Sequence, residues 1–174
     1  MRTSILLLLV SVSLLSGCTS TRVITNISSG KTLDSFDKYT IAVVSSLRTP
    51  ESIAFSDMLS TELLGLGFHV IERNRIEAAL EEQKLSLSGV LEKSNYDTLG
   101  KIANLDGIFI FLAKYDGKQV DSCILKLIDV KTGELLLSTN YKAAHGSEMI
   151  GVAEKISASI RSKFQSEDAI PAKN

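Results

Sequence analysis

The stretch from Thr40 to Glu72 restricts the fold more than any other. Thr40-Ile41-Ala42-Val43-Val44-Ser45-Ser46-Leu47 is a β-branched run of the kind found in a strand buried on both faces. Thr49-Pro50 then opens a helix, with Thr49 as N-cap and proline in the first turn. Phe55, Met58, Leu59, Leu63 and Leu66 recur at helical spacing until Gly65 and Gly67 end it. Phe68-His69-Val70-Ile71-Glu72 is a second strand. A helix that crosses between two strands makes them parallel neighbours, since a tight hairpin cannot join them in that sense.

The rest of the chain builds on this unit. Asn74 and Glu77 give a capping-box-like start to a helix whose apolar face is Ile76, Ala79 and Leu80 and which closes near Gln83-Lys84. Leu85 to Lys93 reads as a loop punctuated by Gly89, and Ser94 caps a third helix carrying Tyr96, Leu99, Ile102 and Ala103. Asp106-Gly107 opens the strand Ile108-Phe109-Ile110-Phe111-Leu112, apolar on both faces and therefore central. After a turn at Tyr115-Asp116-Gly117-Lys118, Val120 to Val130 and Glu134 to Lys142 form a long antiparallel hairpin about Lys131-Thr132-Gly133. Ser147 caps a last helix with Ile150, Ala153, Ile156, Ile160 and Phe164 inward. The order β-α-β-α-α-β-β-β-α predicts a single-domain α/β sandwich with a mixed sheet.

At the N-terminus, Arg2 precedes an apolar run from Ile5 to Leu15, long enough for a signal core and short of the roughly 20 apolar residues that span a bilayer. The run ends in Leu15-Ser16-Gly17-Cys18, which resembles the lipobox of bacterial lipoproteins. That resemblance implies cleavage before Cys18 and acylation of its thiol. Thr19 follows where lipoproteins held on the inner membrane commonly carry Asp, so the implied location is the periplasmic face of the outer membrane. The expected organisation is a signal peptide over 1–17, a lipid-anchored tether over 18–38, the α/β domain over 39–165 and a polar tail over 166–174. The tether reading rests on the Ser, Thr, Asn and Lys content of that stretch and its lack of periodicity.

Nineteen Lys and Arg against 20 Asp and Glu give a net charge of -1 in 174 residues, so the chain as a whole carries no basic field of the kind that nucleic acid or anionic lipid requires. With Cys18 acylated, Cys123 is the remaining thiol and reads as a small core residue. Ser29-Gly30-Lys31-Thr32 matches the end of a phosphate-binding loop, but Thr25 stands where the motif needs glycine. His69 and His145 have no second ligand at metal spacing. Glu72-Arg73 is the most suggestive charged pair, read as a cap or ion pair at the end of a strand. Glu81 and Glu82 are adjacent on a helix and diverge, and no serine sits in Gly-x-Ser-x-Gly. The expectation is no enzyme, no cofactor and no metal.

The order and spacing of Ile41-Ala42-Val43-Val44, Phe68 to Arg73, Leu80-Glu81-Glu82-Gln83-Lys84, Leu105-Asp106-Gly107 and Leu127 to Leu135 resemble the CsgG family, the lipoproteins of curli secretion. They are similar more loosely to the TolB N-terminal domain and to LpoB-type lipoproteins. The resemblance implies envelope protein partners, with further copies of the chain an option, and a role in assembly or secretion of a surface structure, curli-like or flagellar. The alternative it implies is a regulatory lipoprotein that binds a peptidoglycan synthase. Two features of the curli channel are not found: the transmembrane hairpins and an aromatic constriction loop, for which Arg48-Thr49-Pro50-Glu51 is too short.

Overall fold

A computed structural model describes residues 21–36, 39–83, 85–87 and 96–168. Strand β1 (Arg22–Ile27) is followed by a 3-10 turn (Leu33–Phe36), β2 (Thr40–Ser45), α1 (Pro50–Leu64), β3 (His69–Val70), α2 (Arg73–Glu82) and α3 (Tyr96–Ala103). The chain continues through β4 (Gly107–Asp116), β5 (Gln119–Asp129), β6 (Leu135–Glu148) and α4 (Met149–Asp168). The strands form one six-stranded sheet in the order β1-β6-β5-β4-β2-β3. β2 runs parallel to both β3 and β4, and the pairs β4-β5, β5-β6 and β6-β1 are antiparallel, so the sheet is mixed. The α/β sandwich and the central place of β4 agree with the sequence reading.

Ile41, Ala42, Val43 and Val44 are all buried because helices cover both faces of β2. On one face α1 and α4 lay Phe55, Leu59, Leu63, Val152, Ile156, Ile160 and Phe164 against Ile41, Phe109, Phe111, Leu125 and Tyr141. Each such side chain contributes about 1.5–3 kcal/mol on burial. On the other face α2 and α3 bring Ile76, Leu80 and Leu99 onto Ala42, Val44, Ile108 and Val130. This second layer stops there, and the same face of β5, β6, β1 and the far half of β4 carries no described helix.

Local signals explain the element ends. The Thr49 hydroxyl accepts the Ser52 N–H at 3.2 Å and the Ser52 hydroxyl accepts the Thr49 N–H at 3.0 Å, a reciprocal cap with serine in place of glutamate. Gly67, at φ 100°, turns the chain from α1 into β3, and β4 passes into β5 through Gly117-Lys118 alone, Gly117 lying at φ 56°.

Three expectations change. Arg22–Ile27, placed by sequence in the tether, is an edge strand paired with β6 from Arg22↔Lys142 to Ile27↔Leu137. Its middle inward residue is Thr25, between the half-buried Val23 and Ile27, and its hydroxyl meets that of Thr139 at 3.0 Å and that of Ser159 at 2.8 Å. A threonine satisfied in this way is invisible to a search for apolar alternation. α2 begins at Arg73 with Glu72 as N-cap and no side-chain cap bond, so Asn74 and Glu77 form no capping box. β6 runs through Ser147, which pairs with Val120 instead of capping a helix. The inward stripe of α4 therefore starts at Met149, and Ile150 is 54% exposed. Ser94, Gly89, the N-terminal apolar run and Cys18 lie outside the described residues.

Candidate functional site

A groove of about 650 Å³ lies where α1 passes the end of β3 and the start of α2. Ile53 and Leu64 from α1 and Val70 from β3 supply its apolar lining, and Arg48, Asp57, Glu72, Arg73 and Glu77 its charges. One oxygen of Glu77 gathers both arginines: Arg48 Nη2 donates to Oε1 at 2.6 Å, and Arg73 Nε and Nη2 each donate to it at 3.0 Å. Arg73 is largely buried and is thereby fixed, whereas Arg48 is mostly exposed. Thr61 donates its hydroxyl to the Asp57 carbonyl at 3.0 Å. The groove is therefore a mixed polar and apolar trough in which nucleophile, base and orienter are not assembled.

Of the residues singled out by sequence, Glu72, Arg73, Asn74 and Glu77 line this groove; the Glu72 carboxylate, expected to cap or pair at the strand end, makes no cap bond, and Arg73 pairs with Glu77 instead. Sequence reasoning missed the rest, since they come from three elements that only the topology brings together. The available signal was Leu64, apolar but outside the inward stripe of α1, and 59% exposed.

The other candidates resolve into structure. Ser29-Gly30-Lys31-Thr32 is an exposed turn after β1, with Gly30 at φ 76° and the Lys31 N–H on the Ser28 carbonyl. His69, on β3, lies 3.4 Å from the Thr40 hydroxyl, and His145 is exposed in β6. No group of three or more metal-ligating side chains occurs among the described residues. Cys123 is buried in the core, and burial pushes its thiol up to about 12, so it is unreactive near neutrality.

Two of the motif segments meet at a lock. The Tyr39 hydroxyl donates to Asp129 Oδ2 at 2.8 Å and to the Asp106 carbonyl at 3.0 Å. Asp129 Oδ1 accepts the N–H groups of Lys131 and Thr132, shaping the β5–β6 turn, and Asp106 Oδ2 accepts the Thr40 N–H. Burial, the hydrogen bond to Asp129 and the charges of Asp129 and Asp106 all raise the Tyr39 hydroxyl well above its ordinary value, so it stays a donor. Burial also raises Asp129, but the bonds from Thr132, Tyr39 and Lys131 outweigh it and hold the carboxylate below its ordinary 3.8. A side chain at position 107 would meet Tyr39 and Leu127 at 2.6 and 2.9 Å, which accounts for Gly107.

The fold is found in solved structures. Lipoprotein GNA1162 from Neisseria meningitidis superposes with a TM-score of 0.53 at 16% identity, over 74% of this chain and 98% of that one. The LpoB C-terminal domain from Salmonella enterica gives 0.50 at 17% identity, over 68% and 87% of the two chains. Its Escherichia coli counterpart gives 0.50 at 13%, over 66% and 86%. At such identities the likeness is one of fold. No curated protein matches the sequence. The family model of the curli production assembly/transport component CsgG matches residues 25–115, from within β1 to the far end of β4. This match begins within the edge strand, at Thr25, and spans more than half of the 174 residues. The chain belongs to the CsgG family.

Proposed function

We propose that the chain is a lipoprotein held by an acylated Cys18 on the periplasmic face of the outer membrane, where its domain is a non-catalytic interaction component in the assembly or secretion of a surface structure. The observation that carries this reading is membership of the CsgG family, and the lipobox-like Leu15-Ser16-Gly17-Cys18 supports the anchor. The groove between α1 and α2 is a place for an envelope protein segment, with Leu64 and Ile53 as its apolar contacts. Further copies of the chain are partners compatible with two open sheet edges, β1 and β3.

Regulation of a peptidoglycan synthase is the second reading, and the position of β1 weighs against it. Arg22 begins the fold four residues after Cys18, a reach of at most about 14 Å. A partner on the inner membrane would have to come most of the way. Deletion of the gene is expected to remove or impair a surface appendage or secreted fibre, and an unchanged set of both would overturn the leading reading. Enrichment of a wall synthase over a lysate control in a pull-down would favour the second.

A further inference from the structure

The face of the sheet left open beyond α2 and α3 is ordered by its register. Ile24 pairs with Asn140, Asn140 with Ile124 and Ile124 with Leu112, which sets one row across β1, β6, β5 and β4. Its three apolar members are 39, 41 and 49% exposed, while the residues that alternate with them, such as Thr25, Cys123, Phe111 and Tyr141, point into the core. With neighbouring strands about 4.8 Å apart the row is about 14 Å long. The next outward-facing row on one side is Arg22, Lys142, Ser122 and Lys114, and on the other side Lys126 stands beside Ser138 and Asn26. Lys114 is paired with Asp121 at 3.1 Å, and Arg22, Lys126 and Lys142 have no ion pair among the described residues. The near-zero net charge of the chain thus hides an apolar strip with a basic row on one side and Lys126 on the other, on a face that no described helix covers.

We propose that this face rests on the anionic phospholipid headgroups of the membrane that holds Cys18. The proposal relies on the anchor reading. Two observations choose lipid over other occupants. Arg22 is both a member of the basic row and the fourth residue after Cys18, so a lipid on that cysteine keeps Arg22 no more than about 14 Å from it and lets this end of the row come within the roughly 8–10 Å over which basic side chains are drawn to an anionic surface. A second copy stacked face to face by a two-fold would bring the same basic residues to the interface twice, with no acidic side chain in these three rows to offset them. Three part-exposed aliphatic side chains between basic flanks match the boundary of headgroup and acyl chain, where shallow apolar contact and charge act together.

The test uses the full lipidated chain, purified from membranes and reconstituted into vesicles of phosphatidylcholine with or without phosphatidylglycerol. A polarity-sensitive dye is placed at Leu112→Cys or, on the opposite layer, at Lys155→Cys, the buried Cys123 taking no label. Iodide quenching at position 112 is expected to fall severalfold when phosphatidylglycerol is present and to stay unchanged at 155. Lys126→Glu with Lys142→Glu restores it, each lost cation weakening docking about fivefold. Equal quenching at the two positions in anionic vesicles overturns the proposal. Protection that ignores phosphatidylglycerol, or that rises with protein density, overturns it in favour of another occupant. A chain that fails to float with the vesicles at all refutes the anchor, and the docking with it, whereas one that floats with an exposed dye refutes the docking alone.

Discussion

Asp129 closes the β5–β6 turn and receives the Tyr39 hydroxyl from across the sheet, so one carboxylate ties together two segments of the family pattern. Because its folded value lies below its unfolded one, its contribution is complete above about pH 4 and is lost as pH falls through the folded value. Asp129→Asn should cost about 1–2 kcal/mol at pH 7. The gap between variant and wild type should narrow toward pH 2 in urea titrations followed by circular dichroism. A gap independent of pH would show that shape and not charge is what the turn needs. Gly107→Ala is a sharper case. Its methyl would meet Tyr39, which cannot swing away while its hydroxyl is held by Asp106 and Asp129, and would stand 3.3 Å from the Ile128 carbonyl. A loss of about 1–3 kcal/mol is expected, read as a lowered urea midpoint with unchanged slope. The sequence singled out Asp106-Gly107 and Asp129 only as a pattern. Their common cause, a tyrosine 67 residues away from Asp106 and 90 from Asp129, is a tertiary contact that spacing along the chain does not encode.

Among the elements, β2, α1, β4, α4 and the β5–β6 hairpin were legible because their signals are local: β-branched runs, a Thr-Pro start, Gly-bounded ends and helical periodicity. β1 was not, because its inward positions are Val23, Thr25 and Ile27 and the middle one is polar. Thr25→Val keeps the shape and β-branching but withdraws a hydroxyl from those of Thr139 and Ser159. It is expected to cost about 1–3 kcal/mol and to loosen the β1–β6 pairing, measured as faster amide hydrogen exchange at residues 23–27 than elsewhere in the sheet. Uniform exchange across the sheet would contradict a hydroxyl-dependent edge. The start of α2 misled the reading for another reason. Glu77 has the spacing of a capping residue, but two arginines, one from the β2–α1 loop, claim it first. The beginning of α4 shifted by a turn's fraction since β6 keeps pairing to Glu148, and a strand that outlasts its apolar alternation leaves no mark in the sequence.

At the scale of the whole molecule, moving the start of the fold from residue 39 to Arg22 changes what the protein can reach. A roughly 20-residue coil would let an anchored domain wander by about 25 Å, while on the proposed anchor the few residues between Cys18 and β1 hold it at the surface. The groove beside β3 and the open face beside β1 lie toward opposite edges of the sheet, so a domain seated on lipid through one can still present the other to an envelope partner. No described helix is long and apolar enough to cross a membrane, and the proposed arrangement depends on the attachment at Cys18. The groove and the open face could not be read from the sequence, since each is made by strands and helices far apart in the chain. The proposed anchor rests on a contiguous sequence motif alone. Its most direct test is labelled palmitate fed to cells that carry the wild-type chain or Cys18→Ser. The wild type should take up label and fractionate with the outer membrane, and the variant should do neither. Equal labelling of the two, or an unlabelled wild type free in the soluble fraction, would contradict the account.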